Sequence, residues 1–113
     1  YTSLNRIDFV LVNKKTRKPY GTFSLTNIFS NRPEIGKLLG NAEIRGKGVA
    51  YRATKALLNF AFEDLKLKKV YSITRFDNIS NKHVNKKLGF KIIGNEKIKS
   101  RKFIIMSLEN NLK

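Results

Sequence analysis

Cysteine is absent from the 113 residues, and its absence excludes disulfide frames, thiolate nucleophiles and zinc–thiolate sites. His83 is the only histidine; it reads as a solvent-facing helix residue, and no metal site is expected. No serine stands in a G-x-S-x-G frame, so the elbow of a Ser-His-Asp hydrolase is missing. No apolar run nears the roughly 18–20 residues that cross a bilayer. No secretory leader opens the sequence, and no repeat or low-complexity linker divides it. A single cytoplasmic domain over residues 1–113, without a membrane partner, is therefore expected. Acid is scarce: 8 Asp and Glu face 24 Lys and Arg, a formal charge of +16. That field attracts any polyanion, nucleic acid included. The aromatics, however, sit at core spacing and are not interleaved with the basic runs, as a stacking platform requires. Solvated lysine faces and a biased composition explain the charge better than a nucleic-acid surface.

What is present is enough apolar residue, 41%, to bury a core, and one conspicuous loop. Ile44-Arg45-Gly46-Lys47-Gly48-Val49-Ala50 runs directly into a helical pattern. Ala53, Ala56, Leu57, Phe60, Ala61 and Leu65 form its apolar stripe, and Arg52, Lys55, Asn59, Glu63 and Lys66 its polar face. A glycine loop opening a helix joins unpaired N–H groups to the positive end of the helix dipole, which is a phosphate site. The backbone from Arg45 through Gly46, Lys47, Gly48 and Val49 to Ala50 supplies the donors, with Arg45 and Lys47 adding charge. A P-loop needs glycine at Asn41 and a hydroxyl at Gly48; a dinucleotide fingerprint needs glycine at Tyr51. Both fail.

Around the loop, residues 7–12 and 20–28 read as a strand hairpin across a lysine-rich connection, and 34–40 as a third strand. Gly36 interrupts that strand, marking a bulge or a close backbone approach. The long helix is expected to end near residues 66–68, where lysines suit the dipole. A strand at 70–74 comes next, then a short helix capped by Asp77, Asn78 or Ser80, with Val84 and Leu88 on one face and Gly89 as its stop. Strands at about 90–95 and 102–108 close the sheet.

Arg45-x-x-Gly48-x-Ala50, the long helix, Asp77-Asn78 and Lys87-Leu88-Gly89-Phe90 come in an order that resembles the GNAT superfamily of acetyl-CoA-dependent N-acetyltransferases. Ala61-Phe62-Glu63-Asp64-Leu65-x-Leu67-x-x-Val70 is similar to the branch acting on ribosomal-protein N-termini, small amines and amino sugars. The resemblance spans about residues 7–109. It implies an α+β fold of three α/β layers: a mixed, mostly antiparallel twisted sheet with helices on its faces. The family's first strand and one or two helices have no match here, so an N-terminally truncated domain is expected.

The resemblance further implies transfer of an acetyl group from acetyl-CoA, a co-substrate, to a primary amine in a ternary complex. The pantetheine arm would pair with Leu38, Leu39 and Gly40, and Glu34 stands where the branch holds a glutamate that faces the acceptor. Asn78 and Ser80 are candidate hydrogen-bond partners of the cofactor, and Lys87 of its 3′-phosphate. Asn85 occupies the place of the tyrosine with which many relatives protonate the leaving thiolate, so that acid is missing. Two other readings stand beside this one: a basic nucleic-acid or ribosome-binding module, and a non-catalytic CoA sensor on the same fold. The acceptor is open among protein N-termini, amino-sugar nucleotides and small amines, and so is assembly as a homodimer.

Overall fold

A computed structural model describes residues 5–12, 14–39 and 48–110. Alternation of apolar and polar residues shapes its first hairpin. β1 (Arg6–Val12) and β2 (Pro19–Thr26) pair antiparallel, with Phe23 and Leu25 turned inward and buried. β3 (Glu34–Leu39) continues antiparallel on β2, from Thr26↔Glu34 to Gly21↔Leu39 without a register shift. Gly36 therefore marks no bulge. It marks a close approach, because a Cβ there would lie 2.8 Å from Ser24 Oγ.

After β3 the chain crosses through α1 (Val49–Asn59) to β4 (Lys69–Arg75), which runs parallel to β3. The two strands meet at one register pair, Glu34↔Tyr71, where Tyr71 N–H donates to the Pro33 carbonyl at 2.8 Å. Beyond that pair they part. β4 next pairs with β6 (Arg101–Glu109), and β6 with β5 (Lys91–Ile98), both antiparallel, giving the order β1-β2-β3-β4-β6-β5. α2 (Ile79–Lys87) links β4 to β5. Both crossovers travel the same way across the sheet, and the right-handed rule places both helices on one face. The helices touch there, with Lys87 Nζ 4.9 Å from the Tyr51 ring centre.

Leu25, Ala61, Val70 and Met106 have no exposed surface and centre the core between that face and the helices. The inward side of α1 differs from the expected stripe. Thr54, Leu57, Leu58, Ala61 and Phe62 are buried, while Ala53, Phe60 and Leu65 are only partly covered and Ala56 is exposed. Thr54 tolerates complete burial because its hydroxyl donates to the Ala50 carbonyl at 2.6 Å. After Asn59 the helix continues as a π-helical turn, Phe60–Asp64, in which Leu65 N–H reaches back to the Phe60 carbonyl at 3.1 Å. Such a turn holds one residue more than an α-turn and rotates the residues after it about the helix axis. The helix also stops earlier than its lysines: its last turn holds no base, and Lys66 takes a left-handed φ of 58°.

Of the three candidate caps for α2, Asn78 serves, its Oδ1 accepting from Asn81 N–H at 3.1 Å. Gly89, at φ 104°, ends the helix as the spacing predicts. Gly89 N–H bonds the Lys86 carbonyl and Phe90 N–H the Asn85 carbonyl, the paired closure of a Schellman stop. β5 and β6 run longer than expected because Lys99 and Ser100, both at positive φ, make the tight hairpin turn between them.

Candidate functional site

The seam between β3 and β4 organises the site. Parallel strands that share one pair and then diverge leave backbone donors and acceptors of β3 without sheet partners on that side. An extended ligand can fill such a ladder as a further strand would. The backbone of Leu38 and Leu39 lies on this stretch. Gly40, Arg45, Gly46 and Lys47 lie outside the described residues.

Gly48, Val49 and Ala50 are described, and they open α1. Gly48 is its N-cap at φ 72° and ψ 9°, a left-handed conformation suited to glycine, and it has no side chain to cap the first turn. Lys87 Nζ is held over Tyr51, in that same turn, so α2 sends a positive charge to the opening of α1. Ser80 is exposed in the first turn of α2, and the side-chain oxygen of Asn78 is engaged in its cap. His83 is exposed, as expected.

Glu34 sits at the seam itself. Its carboxylate accepts from Asn27 Nδ2 at 3.2 Å, on the sheet face away from the helices. Beside it Arg32 lies over the Tyr71 ring, 5.4 Å from its centre. Arg32 Nε and Nη2 are shielded from solvent and have no hydrogen-bond partner among the described residues.

On the helix face of the seam lies a polar circuit that sequence reasoning missed. Lys37, from the parted stretch of β3, reaches across to α2 and donates to Asn81 Oδ1 and Asn85 Oδ1, each at 2.7 Å. Asn81 Nδ2 donates to Thr74 Oγ1 at 2.9 Å, and Asn85 Nδ2 to Ser72 Oγ at 3.1 Å. The two β4 hydroxyls lie 3.4 Å apart, which closes the ring. Asn85, Ser72 and Thr74 are buried. Burial strips water from the Lys37 ammonium and pulls it down from 10.5 to about 8. Asn85, which the resemblance sets in the tyrosine's place, lacks that residue's chemistry. An amide gives up no proton at neutral pH; its role is to hold Lys37. The available signal was alternation, since Ile35 and Lys37 share one side of a strand whose Ile35 faces the core.

Comparison with known proteins agrees with this geometry. The family model described as an acetyltransferase (GNAT) domain matches residues 2–91. Spermidine N(1)-acetyltransferase of Escherichia coli K12 is 36% identical over 58 residues, which is 51% of this chain and 31% of that protein. The crystal structure of ribosomal-protein-S5-alanine acetyltransferase from Vibrio fischeri superposes with a TM-score of 0.87 at 26% identity, covering 94% of this chain and 62% of that one. Spermidine N-acetyltransferase SpeG of Vibrio cholerae, as its F149A mutant, shares the fold with a TM-score of 0.81 at 20% identity, over 95% and 67% of the two chains. The match to the curated relative thus spans about a third of its length, 31%.

Proposed function

The chain belongs to the GNAT acetyltransferase family, and from that premise we propose that it moves the acetyl group of acetyl-CoA to a primary amine by direct attack in a ternary complex. One observation carries the reading: β3 and β4 part after a single pair, beside a helix opened by Gly48. The pantetheine amides take the strand-like place beside Leu38, Leu39 and Gly40. The diphosphate lies on the N–H groups from Arg45, Gly46 and Lys47 through Gly48, Val49 and Ala50, where the helix dipole favours negative charge. Lys87, near Tyr51, serves the 3′-phosphate, and Asn78 and Ser80 border the cofactor. Aligning amine and thioester supplies most of the rate. Glu34, across the seam, takes the surplus proton of the amine directly or through water.

The acceptor enters from the face that holds Glu34 and Arg32. The unpartnered Arg32 nitrogens and a formal charge of +16 favour an amine that carries an acidic group over a free polyamine. A thermal-shift titration tests the cofactor half. Acetyl-CoA at about 100 times its Kd stabilises the native state by about 2.7 kcal/mol and raises the melting temperature; no rise at saturation overturns the reading. An acetylation panel of a sugar nucleotide amine, an acidic peptide N-terminus and spermidine tests the acceptor half, with turnover of spermidine alone as the contrary result.

A further inference from the structure

We propose that Lys37 is the acid that protonates the sulfur of the departing coenzyme A, a role that rests on the acetyl-transfer reading above. The lysine bridges the seam: its backbone belongs to β3, and its amine is seated on α2, which comes after β4. Any group lying between the parted strands passes this side chain.

The circuit fixes how the amine presents its proton. Asn81 and Asn85 commit their Nδ2 groups to Thr74 and Ser72, so both turn their Oδ1 atoms toward Lys37. Two protons of Nζ go to those oxygens. The third position has no protein partner among the described residues, and it holds a proton in the ammonium and a lone pair in the amine. The proton at that position can leave and return while both hydrogen bonds to the asparagines persist. A free lysine titrates too high to give up a proton readily at neutral pH; burial here brings the group to about 8.

Among the described residues, the groups facing Nζ are uncharged. Asn81 and Asn85 face Nζ from α2, with Thr74 and Ser72 of β4 behind them, and Phe23 of β2 is the cross-strand neighbour of Lys37. The other basic groups of α2 turn elsewhere: Lys82 lies over Phe76 and Lys87 over Tyr51, while His83 and Lys86 are exposed. Glu34 is on the opposite sheet face and bonded to Asn27. Among the described residues no carboxylate forms an ion pair with Lys37; the pairs present are Arg6–Asp8 and Arg75–Asp77.

The step balances. The lone pair of the acceptor amine forms the new C–N bond to the thioester carbonyl carbon. The C–S bond breaks with its electrons going to sulfur, and Lys37 passes its third proton to that thiolate. The surplus proton of the acceptor nitrogen leaves through Glu34 or water, and the Lys37 amine regains a proton from solvent. The products are the acetamide and the free thiol.

The test uses the full-length protein with Lys37→Met and Lys37→Arg, the arginine holding its proton too firmly to donate it. Each variant is assayed with acetyl-CoA and with the acetyl thioester of a nitrothiophenol, whose thiolate leaves without protonation. With acetyl-CoA both variants should lose about 100-fold or more in kcat. KM for acetyl-CoA and the thermal shift by free coenzyme A should stay within a few-fold of the unaltered protein. On the activated thioester the loss should shrink to a few-fold. The unaltered protein should also lose kcat above about pH 8, where Lys37 gives up its proton, and both variants should lack that limb. Equal losses on both thioesters, a preserved limb in the variants, or an acetyl adduct on Lys37 overturns the role. No transfer by the unaltered protein from either thioester overturns acetyl transfer itself; full activity of the variants on acetyl-CoA overturns only the part given to Lys37.

Discussion

Asn85 is a fully buried amide, and its polar neighbours explain it. Asn85→Leu removes one oxygen from Lys37 and the donor to Ser72, and losing a buried hydrogen bond to a charged group costs about 1.5–3 kcal/mol. Lys37→Met leaves two amide oxygens without their donor, for about 1–3 kcal/mol. The double variant makes the contact apolar on both sides, so its loss should fall well short of the sum, with a coupling of about 0.5–3 kcal/mol. Urea unfolding of the four proteins measures the cycle, and strict additivity would remove the circuit from the account of stability. Lys37 also sets a pH dependence. The folded chain releases this proton near 8 and the unfolded chain near 10.5. Between those values the unfolded state binds the extra proton, so stability attributable to Lys37 rises with pH across that window. Below it both states are protonated and the burial penalty is present in full. Lys37→Met should abolish the rise, read as the change in urea midpoint between the two ends of the window.

At the scale of elements, the stop of α2 is the sensitive point. Gly89 sits at φ 104°, and a Cβ there would also meet Leu108 Cδ1 at 3.3 Å. Gly89→Ala should cost about 1–3 kcal/mol through backbone strain alone. At Gly94 a Cβ meets nothing within 4 Å, so Gly94→Ala is the control, and equal midpoints for the two variants would contradict the argument. The first hairpin was legible in the sequence because Phe23 and Leu25 alternate with polar neighbours, and β4 because its run is rich in strand-forming residues. The Asn78 cap and the Gly89 stop were legible too, since each rests on local chemistry. The inward side of α1 was not: Ala53 and Ala56 fit either side of a helix, and Thr54 turns inward because the Ala50 carbonyl satisfies its hydroxyl. Lys37 was hidden for a different reason. Among 24 basic residues a single lysine carries no signal until the strand alternation beneath it is read as strictly as it is for leucine.

For the whole molecule, the resemblance reached the mixed, mostly antiparallel sheet with its packed helices through a handful of motif residues, while the strand order and the seating of α1 and α2 over one face come from the strand pairing. The pairing also divides the sheet into two leaves, β1-β2-β3 and β4-β6-β5, each bound internally by long antiparallel ladders. Among the described residues a single rung joins them. Native-state hydrogen exchange should therefore resolve two opening free energies, one for each leaf, in the protein without ligand. One uniform opening energy would speak against the division. A ligand seated along the seam then acts as a splint: it contributes the missing rungs, and its arrival should fuse two breathing bodies into one that opens all at once.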